Sequence, residues 1–234
     1  MKFNEMGKRM KEYEYSYDIR IPRRVPIILR LDGKAFHNLT RNLEKPFDME
    51  FIESMNYTAK CLLEEINDSE FAYVQSDEIS LLLTNNKSLC YEPYFNNKLQ
   101  KIVSVAASIA TAAFNDVSPY EQIGLFDCRA FILPEKEVCN YFIWRQKDFT
   151  RNSLQSVARS LYSHKQLNSK KSCQLHEMIF EKGINWNELP ISLRRGRCAV
   201  RNCNARNEIT IDNDIPVFTE DRNYIERFVY VKCD

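Results

Sequence analysis

Between residues 25 and 133 the chain alternates apolar, β-prone runs with longer amphipathic stretches in a fixed order. Residues 25–31 (Val-Pro-Ile-Ile-Leu-Arg-Leu) read as a buried strand. Residues 48–67 then carry apolar side chains at helical spacing (Phe51, Ile52, Met55, Ala59, Leu62, Leu63, Ile66) behind Asp48 as a cap. Residues 71–74 and 79–83 predict two strands joined by a tight turn that holds Ser76, Asp77 and Glu78. Residues 97–115 predict a second helix with a face of small residues (Ala106, Ala107, Ala110, Ala113), and 126–133 a fourth strand. Strand, helix, strand, strand, helix, strand is the order of a split βαβ, ferredoxin-like sheet. The fold class predicted is therefore α+β: an antiparallel sheet with helices, of the kind that forms a polymerase or cyclase palm.

The rest of the chain reads as an extension of that core. Two helices are expected over 135–148 and 152–164, and a third over 173–182, stopped by Gly183. A late β-hairpin is expected from 196–204 and 208–211, and residues 224–231 suggest one more strand. Before the first strand, Met6, Met10, Tyr13 and Tyr17 are spaced for a short amphipathic helix. No linker or repeat interrupts the sequence. The expectation is one compact catalytic unit over 1–234, with a palm core at 25–134 and a helical and hairpin extension at 135–234.

The 234 residues are 44% hydrophobic, ample for a core, and no apolar run approaches the roughly 18 residues that span a bilayer. The first residues lack the apolar stretch of a secretory signal, and eight irregularly spaced cysteines read as reduced thiols, so a cytoplasmic protein with no membrane partner is expected. The net charge is only +1. Basic residues nevertheless gather at Lys8, Arg9 and Lys11; at Arg20, Arg23 and Arg24; at Lys165, Lys170 and Lys171; and at Arg194, Arg195, Arg197 and Arg201. Local patches of this kind, rather than total charge, bind nucleic acid.

Two motifs carry chemistry: Arg30-Leu31-Asp32-Gly33-Lys34-Ala35-Phe36-His37 and Gln75-Ser76-Asp77-Glu78. Each places a carboxylate beside an apolar strand, and in a split βαβ sheet those strands are neighbours. Mg²⁺ takes a few carboxylates together with phosphate oxygens of its substrate, and Asp32 and Asp77 meet that need. Alternation sends Glu78 to the face opposite Asp77, which suits an orienting group better than a direct ligand. The turn from Asp32 to His37 is expected to offer successive backbone N–H groups as an anion nest. Lys34 and Lys45 are either phosphate partners or solvated surface lysines. Phe36 reads as core more than as a base-stacking platform, His37 as a phosphate contact or a turn filler, and Ser76 as a hydroxyl or amide donor.

Two other constellations are weaker. Cys173, His176, Cys198 and Cys203 contain zinc-ligand types but not the spacing of a zinc finger. Cysteine nucleophilic chemistry would need activation by His37, His164 or His176, and no local signal indicates it.

The motif pair resembles the tRNA(His) guanylyltransferase family, in particular its bacterial and phage-type guanylyltransferase-like branch of 3′–5′ polymerases. The resemblance extends through Lys45-Pro46-Phe47-Asp48, Trp144-Arg145-Gln146-Lys147-Asp148 and Asn185-Trp186-Asn187-Glu188-Leu189-Pro190, and covers roughly residues 3–200. It implies a palm enzyme that adds nucleotides to the 5′ end of tRNA. The 5′ phosphate is first activated by a nucleoside triphosphate, commonly ATP, and the 3′-hydroxyl of an incoming GTP or other NTP then attacks it.

Carried onto this chain, Asp32, Asp77 and Glu78 become the catalytic residues, and two Mg²⁺ ions are held by Asp32, Asp77 and the Gly33 carbonyl. Asp32, Gly33, Lys34, Ala35, Phe36, His37, Lys45, Ser76 and Asp77 would form the nucleotide site. Asp148, Arg151 and Asn152 would lie near the RNA 5′ end or a second nucleotide, unless they merely start a helix with Asn152 as its cap. The resemblance also implies a homotetramer built as a dimer of dimers.

One departure bears on specificity. The eukaryotic branch reads His-x-Asn-Asn after the Trp-Arg-Gln block, where this chain has Thr150-Arg151-Asn152-Ser153. That favours template-dependent repair of 5′-truncated tRNA over addition of a single guanosine to tRNA(His). A nucleotide cyclase on the same palm and a non-catalytic tRNA-binding module are the alternatives. The first would turn over NTP without RNA, and the second has no need of both aspartates.

Overall fold

The structure is a computed structural model that describes residues 3–67, 69–85, 92–202 and 208–230. Helix α1 (Phe3–Tyr15) precedes strand β1 (Ile27–Gly33) and the single-turn helix α2 (Phe36–Leu39). Helix α3 (Met49–Glu65) leads to the hairpin β2 (Ser69–Gln75) and β3 (Glu78–Leu83), then to α4 (Leu99–Val117) and β4 (Phe126–Ile132). The remainder is α5 (Glu135–Leu161), α6 (His164–Leu167), α7 (Ser172–Glu181), α8 (Ile191–Arg195), β5 (Arg197–Arg201), β6 (Ile209–Asp212) and α9 (Asn223–Val229).

The six strands form one sheet in the order β4-β1-β3-β2-β5-β6, with every neighbour antiparallel. The first four reproduce the expected split βαβ order. The late hairpin was also expected, and it docks on β2 so that the palm sheet itself is extended.

Alternation along the strands builds a layer on each side. Leu29, Leu31, Ala72, Val74, Ile79 and Leu81 face α3 and α4, where Met55, Leu62, Ala106, Ala110 and Phe114 complete one core. The small residues of α4 let its backbone lie close to the sheet. On the opposite face Ile28, Phe71, Tyr73 and Leu82 pack against Val138 and Phe142 of α5 and against Ile225 and Phe228 of α9. A third cluster joins Leu154, Val157 and Ala158 of α5 to Leu175 and Ile179 of α7 and to Trp186.

Two expectations are corrected. Residues 135–161 form one continuous helix rather than two. The stretch contains neither Gly nor Pro, and across the expected break Arg151 pairs with Asp148 one turn earlier while the Ser153 hydroxyl donates to the Leu193 carbonyl at 2.6 Å. Asn152 is therefore mid-helix and caps nothing. The tail is a helix, not a strand: Tyr224, Ile225, Phe228 and Val229 recur at helical spacing, and all four are buried. Val231, the last residue of that expectation, and Cys203 of the zinc-type set lie outside the described residues.

Several smaller features follow the sequence closely. The Asp48 carboxylate caps α3, accepting the Phe51 amide at 2.9 Å and the Tyr120 hydroxyl at 2.7 Å. Gln146 clasps the segment before α9, donating to the Pro216 carbonyl and accepting the Phe218 amide. Helix α1 forms as expected, with Met6, Met10 and Tyr13 exposed along it.

Gly33 is dictated by packing. A Cβ there would sit 2.5 Å from Cγ of Phe36, whose ring is 3% exposed and wedged among Phe51, Phe114 and Phe126. Gly33→Ala is expected to destabilise the fold by about 2 kcal/mol, the usual size of an overpacking penalty. Thermal unfolding of the variant checks this, and an unchanged Tm would contradict it.

Candidate active site

Strand β1 carries Asp32 on the α5 side of the sheet, in register with Glu78 on β3 and Asp127 on β4. Asp77 lies beside it, in the two-residue turn between β2 and β3. The turn is fixed by Ser76, held in the left-handed region at φ 44°, and by the Gly33 amide, which donates to the Asp77 carbonyl at 3.0 Å. One hydrogen bond thus ties the end of β1 to the hairpin turn and sets the two aspartates side by side.

The electrostatics of the pair are unbalanced. Burial pushes the Asp77 carboxyl above its ordinary value, and the Asp32 charge adds to that effect. Among the described residues the nearest cation to Asp32 is Arg129, exposed and 4.0 Å away, and it also reaches Asp127 at 3.8 Å. Two neighbouring carboxylates with so little compensation form a site disposed to take up positive charge.

Glu78 is occupied differently. Arg145 of α5 donates to it through both Nε (2.7 Å) and Nη2 (2.6 Å), and Arg30 Nη2 lies 2.6 Å from the same carboxylate. Gln75 and Ser80 also donate to it. These contacts suit the orienting reading of Glu78: buried Arg145 holds both of its oxygens, and half-buried Arg30 pairs with one of them. Arg145 also reaches Asp148 at 3.4 Å and lies over the Trp144 ring, so the Trp-Arg-Gln block fastens α5 to the sheet.

A cleft of about 310 Å³ opens at this end of the sheet. Of the expected residues it brings together Asp32, Ser76, Asp77, Glu78, Lys45 and Asn152. Lys45 reaches over from the loop before α3, its ammonium donating to the Thr40 carbonyl at 2.6 Å. Asn152 projects from α5 on the same face as Arg145, Phe149 and Ser156.

Other expected residues sit elsewhere. Lys34, Ala35 and His37 are exposed beside the cleft rather than in its lining, and the Phe36 ring belongs to the core. Asp148 and Arg151 pair with each other on α5, outside the lining. The expected anion nest is reduced: the Gly33 amide is taken by Asp77 and the Lys34 amide by the Leu125 carbonyl at 2.7 Å.

Arg197, grouped above with the basic patch at residues 194–201, is not a surface residue. Arg197 is 2% exposed and lines the cleft; its Nε donates to Asn56 Oδ1 at 2.7 Å. Burial lowers its pKa to about 10, which leaves it charged at neutral pH. Arg201 likewise turns inward, to the carbonyls of Leu63 and Ser69. The available signal was position: both lie on a strand whose neighbours Cys198, Ala199 and Val200 are apolar. Among the described residues no group of three or more His, Cys, Asp or Glu side chains is placed to share a metal ion, and Cys173 is exposed on α7 while Cys198 is buried in β5.

Comparison with known proteins bears on the same residues. The family model described as "Thg1: tRNAHis guanylyltransferase" matches residues 7–134, which include both aspartate motifs. A solved bacterial tRNA(His) guanylyltransferase (Thg1)-like protein in complex with ATP superposes with a TM-score of 0.92 at 43% identity, covering 97% of this chain and 100% of its own. A solved bacterial Thg1-like protein in complex with GTP gives 0.87 at 40% identity, with the same coverage. The tRNA(His) guanylyltransferase of Schizosaccharomyces pombe is 30% identical over 84% of this chain and 82% of its own length. Sequence motifs, sheet order and these likenesses agree: the chain belongs to the tRNA(His) guanylyltransferase family, as a guanylyltransferase-like nucleotidyltransferase.

Proposed function

We propose that the protein is a template-dependent 3′–5′ nucleotidyltransferase that rebuilds the 5′ end of truncated tRNA, using ATP to activate the 5′ phosphate and NTPs as building blocks. The observation that carries this reading is the pair of undercompensated carboxylates, Asp32 and Asp77, at the edge of a cleft that also holds Lys45, Ser76 and Asn152. The ATP and GTP complexes of the bacterial relatives support nucleoside triphosphates as substrates.

The donor set suits Mg²⁺: two hard carboxylates, with no third ligating side chain among the described residues to complete a protein cage. Asp32 and Asp77, with the Gly33 carbonyl, would hold the ions. When bound there, Mg²⁺ neutralises polyphosphate charge and makes an attacking hydroxyl more acidic.

The remaining roles fall to the chain itself. Lys45 has donors beyond the one given to Thr40 and neutralises phosphate charge at the cleft wall. Ser76, raised into the turn by its left-handed backbone, offers a hydroxyl beside Asp77. Glu78 holds Arg145 and through it the α5 face, so that Asn152 keeps its place against the incoming end. In the overall exchange the 3′-hydroxyl of the NTP attacks the activated 5′ phosphorus and the activating nucleotide leaves with the electron pair, a displacement governed by positioning and charge.

Repair is favoured over tRNA(His) guanylylation because Thr150-Arg151-Asn152-Ser153 replaces the His-x-Asn-Asn segment and runs inside a continuous helix. The higher identity to the bacterial guanylyltransferase-like proteins than to the S. pombe enzyme points the same way. The uncovered apolar residues of α1 support assembly into a homotetramer, and five free cysteines among the described residues support a reducing, cytoplasmic setting.

The test uses a 5′-monophosphorylated tRNA lacking its first nucleotide, with Mg²⁺, ATP and each labelled NTP in turn. Extension by one nucleotide, complementary to the opposite strand, is expected. Addition of guanosine alone, to full-length tRNA(His) only, would overturn the repair reading.

A further inference from the structure

Arg197 opens β5 opposite Val74 of β2, two residues back from Ser76 in the aspartate turn. That register sends its side chain to the α3 side of the sheet, under the cleft that Asp77 borders. Among the described residues its Nε–H alone has a partner, the neutral Asn56 amide oxygen, and its enclosed Nη2 has none. The described residues offer it no ion pair; Glu53 acts on it only at longer range and is itself exposed.

A buried guanidinium with one neutral contact is an uncompensated charge, and native interiors rarely keep one without a reason. The other basic side chains at the cleft differ. Arg145 is held by Glu78 and Asp148, while Lys45 lies exposed at the wall. We infer that Arg197 is a phosphate-binding residue, its free guanidinium edge completing its hydrogen bonds on an anionic phosphate oxygen of a ligand in the cleft. A planar fork of N–H donors matches phosphate, and the absence of a protein carboxylate leaves that partner to the ligand. The inference rests on the nucleotidyl-transfer reading only for where the phosphate comes from, either a nucleoside triphosphate or the 5′ end of an RNA.

The experiment measures binding rather than turnover, which separates its failure from failure of the proposed reaction. Asn56→Asp places a carboxylate where the amide oxygen now meets Arg197, satisfying the charge from within the protein. Arg197→Lys keeps the charge and loses the fork. Asn56 lies outside the cleft lining, so neither the aspartate pair nor the cleft wall is altered by the first variant. Affinities are measured at fixed Mg²⁺ for tripolyphosphate, for ATP, and for a 5′-monophosphorylated RNA oligonucleotide beside its 5′-hydroxyl twin, together with the Tm of each ligand-free variant.

Asn56→Asp is expected to raise the ligand-free Tm while weakening binding of at least one phosphate probe by about tenfold, the size of one lost charge-assisted hydrogen bond. Arg197→Lys is expected to weaken the same probe. Loss for tripolyphosphate and ATP assigns Arg197 to the triphosphate. Loss of the advantage of 5′-phosphorylated over 5′-hydroxyl RNA assigns it to the RNA end. Unchanged affinity for every probe in both folded variants, or no phosphate binding by the parent protein, would overturn the inference.

Discussion

Asp77→Asn is expected to abolish nucleotidyl transfer, by about a thousandfold or more, while making the metal-free protein more stable. Loss of activity follows from the proposed ligand role, since an amide supplies neither the charge nor the hard anionic oxygen that Mg²⁺ requires. The gain in stability follows from the fold. Asp77 is half-buried beside Asp32, and both desolvation and that charge hold its carboxyl above the ordinary 3.8. The folded state therefore binds this proton more tightly than the unfolded chain does. The resulting contribution is fully present below the ordinary value and is lost as pH rises through the raised one.

At neutral pH without metal the ionised pair works against folding, and the neutral amide relieves it by about 1 kcal/mol, within the range seen when a strained functional group is replaced. Thermal unfolding in chelator, from acid to neutral pH, checks this: the Asp77→Asn advantage should be absent at low pH and grow upward. A variant that kept its activity, or that lost stability at neutral pH, would contradict the ligand assignment. Asp32→Asn is expected to show the same loss of activity.

Glu78→Ala is expected to destabilise the fold by about 4 kcal/mol, because it strands two arginines that now share one buried carboxylate. The damage should reach the site, since Arg145 fastens α5 against the sheet and Asn152 stands two turns further along the same helix. Glu78→Gln keeps the shape and two acceptor lone pairs and should lose about half as much. Chemical denaturation measures both, and a loss under about 1 kcal/mol for Glu78→Ala would show that the network adds little. Because Glu78 positions other groups, folded Glu78→Gln is expected to lose activity far less than Asp77→Asn; equal losses would make it a direct participant.

The palm was legible because each of its strands and helices carries an unambiguous period and is bounded by turn residues. Asp48 as a cap, the small face of α4 and the two-residue turn at Ser76-Asp77 are local signals that tertiary packing reinforced. The errors arose where local composition and packing disagreed. Residues 224–229 are aromatic and β-branched like a strand, but their spacing lays Tyr224, Ile225 and Phe228 against Phe71 and Phe218 as a helix. The polar segment after Trp-Arg-Gln looked like a helix break, and ion pairing along α5 carries the helix through it.

Within the site, the two aspartates were readable from their strands. The purpose of Gly33 was not, because the Phe36 ring that demands it arrives through a turn. Nor was Arg197, because a basic residue beside Arg194 and Arg195 looks like surface until β5 is seen to pair with β2.

In the proposed repair reaction the opposite strand chooses the added nucleotide. The most direct measurement takes the 5′-truncated, 5′-monophosphorylated tRNA and changes only the 3′-strand base that faces the missing position, through all four identities, with all four NTPs competing. The added nucleotide is predicted to follow that base by Watson–Crick pairing each time, and to vanish with Asp32→Asn. Guanosine added whatever base it faces, or no extension with any of the four, would contradict it.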